Sequence, residues 1–106
     1  MLRKERVMLV VVQHQLIDPS TASIRGERLK RGEGAPAGTR VLQFLPSRDG
    51  TLVTCLWESE AVEDVQSFTD ETLGDSSQNL CYAVEDHAAF ATLPAGIAAP
   101  PTAVAV

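Results

Sequence analysis

Residues 7–16 read VMLVVVQHQL, and this stretch carries the strongest structural signal in the chain. Six apolar, mostly β-branched residues (Val7–Val12) are followed by a polar end that contains His14. The stretch is short for a helix, and its composition predicts a β-strand. Successive side chains of a strand point to opposite faces, and here both faces are apolar. We therefore expect this strand to be buried on both sides of a sheet.

A helix is predicted directly after this strand. Asp18 is a natural N-cap, Pro19 suits the first helical position, and the glycine-rich stretch that begins at Gly32 ends the helix after about Arg31. Gly26 lowers the helical propensity of the segment by about 1 kcal/mol relative to alanine. The apolar stripe is thin, with only Ala22, Ile24 and Leu29. These features predict a short or irregular helix.

Three further strands are predicted, at residues 39–46, 51–57 and 79–85. The turn Asp49-Gly50 joins the first two of them as a hairpin. A second helix precedes the last strand, with Ser59 as its predicted cap and Gly74 just after its end. Its buried face is predicted to contain Val62, Val65, Phe68 or Thr69, and Leu73.

The resulting order, βαββαβ, predicts an α+β ferredoxin-like domain with a four-stranded antiparallel sheet and two helices on one face. We expect the domain to span residues 1–93, with an Ala/Pro-rich tail at residues 94–106. Because two helices cover only one face, the other face needs a cover. A second copy of the chain, in a homodimeric α/β barrel, is the simplest candidate. The alternative is that the tail folds back through Phe90, Leu93 and Ile97.

Charge and cysteine content narrow the classes of function. All nine Lys and Arg residues lie between Arg3 and Arg48, whereas ten of the fourteen acids follow Arg48. Only one aromatic residue, Phe44, is interleaved with the basic ones, so nucleic-acid binding is not expected. No apolar run approaches the length of a membrane span. The two cysteines, Cys55 and Cys81, fall on strands separated by the first strand, which predicts reduced thiols in a cytoplasmic protein.

Five residues at two strand ends are the candidate site. His14, flanked by Gln13, is predicted at the mouth of a cavity between the two sheets of the dimer, as a metal ligand or an acid–base group. Cys55 and Trp57 share one face of the third strand, and Glu58 lies at its end. The alternatives are a structural histidine, a small buried thiol, a core tryptophan and a charge partner for the second helix. We predict that His14, Gln13, Trp57 and Glu58 bind the ligand, and that His14 and Cys55 bind a metal.

Two short motifs resemble a known family. The sequence TCLWE at residues 54–58, followed by EAVEDVQ at residues 60–66, is similar to a region of small bacterial dimeric ferredoxin-like proteins, which include nickel-binding members. The end of the first strand, VVQH at residues 11–14, resembles the same proteins. The resemblance implies a homodimer with a divalent transition metal near His14. Phe68-Thr69 stands where family members often carry a histidine.

No P-loop, zinc-ligand or nucleophile-elbow motif occurs in the chain. The sequence therefore favours a small dimeric protein that binds a ligand or metal in an inter-sheet cavity near His14. Two other functions remain open at this point. One is a protein-interaction module that uses the acidic half or the tail, and the other is a cofactor-independent enzyme of the monooxygenase or isomerase type.

Overall fold

A computed structural model describes residues 7–100 of the chain. Four antiparallel strands form one sheet in the order β2-β3-β1-β4, with two α-helices between the strands. This confirms the predicted α+β ferredoxin-like fold. The elements are β1 (Met8–Leu16), α1 (Pro19–Arg31), β2 (Arg40–Pro46), β3 (Leu52–Ser59), α2 (Val62–Leu73) and β4 (Ser77–Ala83). The start of the predicted domain and the last six residues of the predicted tail lie outside the described residues.

Helix α1 is regular over 13 residues, so the prediction of a short or irregular helix was wrong. The Asp18 carboxylate accepts hydrogen bonds from the backbone N–H and the hydroxyl of Thr21, and Gly32 closes the other end in a left-handed conformation. Glu27 forms ion pairs with Lys30 and Arg31. These caps and pairs offset the low propensity of the glycine inside the helix.

The predicted stripe of α1 also needs a correction. Ala22 and Leu29 are buried, but Ile24 is 75% exposed. The apolar contact of this helix with the sheet is therefore limited to two short stretches of its surface. This sparse contact leaves space between α1 and the sheet.

Helix α2 begins at Val62, so Ser59 does not cap it as predicted. Ser59 is the last residue of β3, is fully buried, and shares a hydrogen bond of 2.8 Å with the hydroxyl of Thr39. The strand continues two residues beyond its predicted end and carries Ser59 with it. The predicted end of the helix at Gly74 is confirmed. The buried residues are Val65, Phe68, Thr69 and Leu73.

The strand register separates the two cysteines. Val12 of β1 pairs with Cys55 on one side and with Cys81 on the other, and both thiols are free. Val10, Val12 and Trp57 are buried together against the helices. We call the surface of the sheet that carries these three residues, and every second residue along the same strands, the helix-facing side.

The opposite surface, which we call the open face, carries the other residues of each strand. Four of its large apolar side chains are exposed by 41–61%. The tail does not cover it in the described part of the chain, because Phe90, Leu93 and Ile97 are 95%, 76% and 48% exposed. The exposed apolar residues of the open face are Leu45, Leu52, Leu80 and Tyr82.

Neither α-helix of residues 7–100 has the length and apolar character that crossing a membrane requires.

Candidate functional site

A cavity of about 470 Å³ lies between α1 and the helix-facing side of the sheet. Small-molecule sites in proteins commonly have volumes of about 300–1,000 Å³ and mostly apolar walls. Strands β1, β2 and β3 form one wall and α1 forms the other. The side chains that matter for its chemistry belong to His14, Lys30, Phe44, Cys55 and Trp57.

Small residues of α1 keep this space open. Ala22, Ser23 and Gly26 line the cavity from the helix. A Cβ atom added at Gly26 would meet no atom within 4 Å. The glycine that weakens the helical propensity of α1 therefore contributes directly to the volume of the cavity.

Trp57 supplies an unpaired donor at the wall of the cavity. Its side chain is fully buried and packs edge-on against Phe68, with ring centroids 5.9 Å apart. The indole Nε1–H makes no well-formed hydrogen bond among residues 7–100, although the weakly accepting thiol of Cys55 is its neighbour. Buried polar groups are nearly always paired, because an unpaired one costs about 1–3 kcal/mol.

His14 is 3% exposed, and its ring makes one side-chain hydrogen bond within residues 7–100. Its Nδ1 lies 2.7 Å from Oδ1 of Asn79. Burial lowers the pKa of His14 below the ordinary value of 6.5, although the hydrogen bond to Asn79 and the charge of Asp70 act in the opposite direction. The imidazole is therefore neutral at pH 7. A neutral imidazole has one ring nitrogen that carries a proton and one that carries a lone pair.

Cys55 is an unreactive thiol in this setting. Burial raises its pKa to about 12, and the neighbouring indole N–H of Trp57, which would favour the thiolate, offsets only part of that effect. A thiolate is the form of cysteine that attacks or binds metal. At neutral pH Cys55 contributes a small apolar surface to the cavity wall.

The residues present do not fit a metal ion. Catalytic zinc sites use three protein ligands and structural sites use four. No group of three or more His, Cys, Asp and Glu residues that could hold a metal occurs within residues 7–100. The predicted pair, His14 and Cys55, supplies one imidazole and one protonated thiol. The divalent transition metal that the family resemblance implies therefore has no ligand set in this part of the chain.

The structure divides the predicted site between two surfaces. His14, Cys55 and Trp57 lie on the helix-facing side, whereas Gln13 and Glu58 lie on the open face. Glu58 accepts a hydrogen bond of 2.8 Å from Arg40 of β2. The predicted position of His14 in a cavity between two sheets was wrong, because the helices cover the side of β1 that carries it.

Asn79, Gly26 and Lys30 are site residues that the sequence reasoning missed. Asn79 could have been found from the strand order, because β4 pairs with β1 and sets Asn79 opposite His14. Lys30 lies over the ring of Phe44, with its Nζ 4.7 Å from the centroid. With His14 neutral, Lys30 carries the only full charge in the cavity lining.

Several solved structures are similar to this chain at low identity. A de novo designed protein, Foldit4, matches with a TM-score of 0.48 and 10% identity over 74% of this chain and 96% of its own. A putative antibiotic biosynthesis monooxygenase from Nitrosomonas europaea matches with a TM-score of 0.45 and 15% identity, covering 74% and 90%.

A third structure is the monooxygenase ActVA-Orf6 of Streptomyces coelicolor, in complex with the ligand nanaomycin D. Its TM-score is 0.47 and its identity 19%, over 86% of this chain and 96% of its own. These identities and scores are too low to indicate a shared function. No protein-family model and no curated protein sequence matches the chain significantly.

Proposed function

We propose that this protein binds a small, largely apolar molecule in the cavity between α1 and the sheet. The observation that carries the proposal is the cavity of about 470 Å³ with mostly apolar lining residues, one of which is Trp57, whose buried Nε1–H has no hydrogen-bond partner among residues 7–100. An unsatisfied donor in an apolar cavity is destabilising until an acceptor arrives. A bicyclic aromatic molecule with one oxygen substituent fits within this volume and suits the apolar lining and this donor.

Lys30 adds a preference at the same site. Its ammonium group lies over Phe44 and pairs with Glu27, whose carboxylate is 3.2 Å away. A ligand oxygen with partial negative charge is favoured near this cation. The proposed ligand therefore has an apolar ring system and a polar oxygen, and it carries no positive charge.

The cavity can be filled from within to test this proposal. Gly26→Leu projects a side chain into the open space, whereas Gly26→Ala adds one methyl group and improves the helical propensity of α1. We expect titration calorimetry with 2-naphthol to show binding to the wild type and to Gly26→Ala. Gly26→Leu should lose at least about tenfold in affinity while remaining folded by circular dichroism. Equal binding by Gly26→Leu and the wild type would contradict the proposed location.

We also propose that two copies of the chain associate through their open faces. Exposed apolar residues of three strands lie on this face, and Gln13 and Gln15 of β1 lie between them, paired with Leu80 and Leu52 respectively. A stable interface buries about 800 Å² per partner, which one face of a four-stranded sheet can supply. Because the described part of the tail does not cover this surface, a second copy of the chain is its proposed cover.

Two exposed leucines provide a matched test of the dimer. Leu80→Lys places a charge on the open face, and Leu93→Lys makes the same change in the tail, where Leu93 is 76% exposed. Analytical ultracentrifugation should show a dimer for the wild type and Leu93→Lys, and a folded monomer for Leu80→Lys. A wild-type protein that sediments as a monomer at tens of micromolar would overturn this proposal.

Proton transfer by His14 is the second candidate function, favoured by the neutral imidazole on the cavity wall. In such a reaction Nε2 takes a proton from the carbon beside a ligand carbonyl, and the electron pair moves to the carbonyl oxygen. The enolate oxygen that forms would accept a hydrogen bond from Trp57 Nε1–H. Nε2 then returns a proton to the same carbon or, as in an isomerase, to another one, and in heavy water the proton that it holds can first exchange for a deuteron.

This second function is tested by hydrogen exchange on 2-tetralone, a bicyclic ketone with acidic C–H groups. In heavy water, the wild-type protein should accelerate the loss of these proton signals in NMR spectra, and His14→Gln should not. If both proteins exchange at the buffer rate, the protein binds its ligand without this chemistry.

A further inference from the structure

We infer that Asp70 and Asn79 are positioning residues, which hold His14 with its Nδ1–H on Asn79 and its Nε2 lone pair free for a hydroxyl donor in the cavity. The three residues come from three elements, α2, β4 and β1. Asn79 Nδ2 donates to Asp70 Oδ1 at 2.8 Å, and Asn79 Oδ1 lies 2.7 Å from His14 Nδ1. The cavity itself is not involved in any of these contacts.

The donor and acceptor roles in this series of hydrogen bonds follow from the chemistry of Asp70, its exposed member. A carboxylate only accepts hydrogen bonds, so Asp70 must face the amide NH₂ group of Asn79. The amide oxygen of Asn79 then faces His14. Because that oxygen only accepts, Nδ1 of His14 must carry a proton. In a neutral imidazole, the other nitrogen then carries the lone pair.

Two neighbours support the same orientation of the Asn79 amide. The hydroxyl of Ser77 donates to Asn79 Oδ1 at 2.7 Å, so the amide oxygen accepts two hydrogen bonds. Gln66 donates to both oxygens of Asp70 and to the backbone oxygen of Asn79. The Asp70 carboxylate is thus fixed against the edge strand by a residue one turn earlier on α2.

This assignment rests on the proposed function and names the ligand class for it. Trp57 and His14 both line the cavity, and each has a ring nitrogen without a hydrogen-bond partner among residues 7–100, the donor Nε1–H and the acceptor Nε2. A phenol, an enol or another hydroxyl compound satisfies both, because its oxygen accepts and its proton donates. An ether or a ketone satisfies only the indole.

The tautomer of His14 can be measured without any ligand. Long-range proton–nitrogen NMR spectra distinguish a protonated ring nitrogen from one with a lone pair. The chain has only two histidines, so His87→Gln identifies the resonances of His14. We expect Nδ1 to be protonated and Nε2 to be unprotonated in the wild type. Protonation at Nε2 would overturn the inference.

Substitutions on α2 test whether Asp70 sets this tautomer. Asp70→Ala lets the Asn79 amide rotate, and we expect a mixture of both tautomers. The exchanged pair Asp70→Asn with Asn79→Asp restores an acceptor for Nδ1–H and should restore the single form. Glu71→Ala removes an exposed acid from the same turn of α2 and should change nothing. A single Nδ1–H form in Asp70→Ala would contradict the positioning role.

Ligand selectivity completes the test. The wild type should bind 2-naphthol about fivefold to tenfold more tightly than 2-methoxynaphthalene, which lacks the hydroxyl proton. Asp70→Ala should lose this preference while retaining its affinity for the methoxy compound. Equal affinities in the wild type would overturn the ligand class. If neither compound binds and the tautomer results hold, the proposed cavity function and this ligand class fail, whereas the positioning of His14 stands.

Discussion

The two surfaces of the sheet differ in how their polar groups are satisfied. On the helix-facing side, His14 and Trp57 are 3% and 0% exposed, and each presents a nitrogen that no residue within 7–100 satisfies. On the open face, Glu58 pairs with Arg40, and four large apolar side chains are exposed among polar ones. The first surface is suited to a small molecule with a polar oxygen, and the second to another protein surface.

Neighbouring residues of one strand therefore serve different roles. Gln13 and His14 are adjacent in β1, and Trp57 and Glu58 are adjacent in β3, yet each pair is divided between the two surfaces. Sequence proximity groups such residues into one site, whereas the two-residue period of a strand separates them. The assignment of a strand residue to a site has to begin from the face that it occupies.

The largest effect should appear in stability, when a residue of the helix-facing side is compared with an exposed residue beyond β4. Trp57→Ala removes a fully buried indole from the core, and we expect it to lower the free energy of unfolding by about 3–5 kcal/mol. Phe90→Ala, at a residue that is 95% exposed, should change it by less than about 0.5 kcal/mol. Urea denaturation measures both. A loss below about 1 kcal/mol for Trp57→Ala would mean that the indole is not part of the core.

Much of the fold is predictable from the sequence because its signals are local. The β-branched run of β1, the Asp18 cap, the Asp49-Gly50 turn and the glycine after α2 each specify nearby backbone. Strand β4 was predicted two residues too late, which preserves the alternation of its side chains. The strand order followed from the motif as a whole.

The location of the cavity is not predictable in the same way. Both faces of β1 are apolar, so the alternation does not show which face the helices cover. Gln13 and Gln15 do indicate which face the helices leave uncovered, because both are polar and both lie on the open face of β1. The contact between His14 and Asn79 joins residues 65 positions apart, and it depends on the register of β4 against β1.

A smaller difference should appear in ligand affinity. Trp57→Phe keeps an aromatic ring but removes the indole N–H, and we expect about a fivefold loss of affinity for 2-naphthol. Gln13→Ala changes the open face and should leave the affinity within about twofold. Titration calorimetry measures both constants. If Gln13→Ala lowered the affinity for 2-naphthol as much as Trp57→Phe does, the ligand would bind at the open face, which would contradict the proposed location.

The smallest effect concerns the pH dependence of stability. The lowered pKa of His14 means that the unfolded chain takes up this proton more readily than the folded protein. The free energy of unfolding should therefore fall as the pH falls from about 7.5 to about 5.5, through the ordinary histidine pKa of 6.5. In this range His14→Gln should flatten the dependence, and His87→Gln, at an exposed histidine, should not. A steeper fall in His14→Gln would contradict the assigned neutral state.

The division between the two surfaces is tested most directly by following the indole N–H of Trp57, the only tryptophan in the chain, during an NMR titration with 2-naphthol. We predict a progressive, saturable shift of this resonance, with shifts also in the backbone amides of Gly26 and His14. The amides of Leu80 and Tyr82 should stay in place. Saturable shifts at Leu80 and Tyr82, with an unmoved indole resonance, would contradict the account.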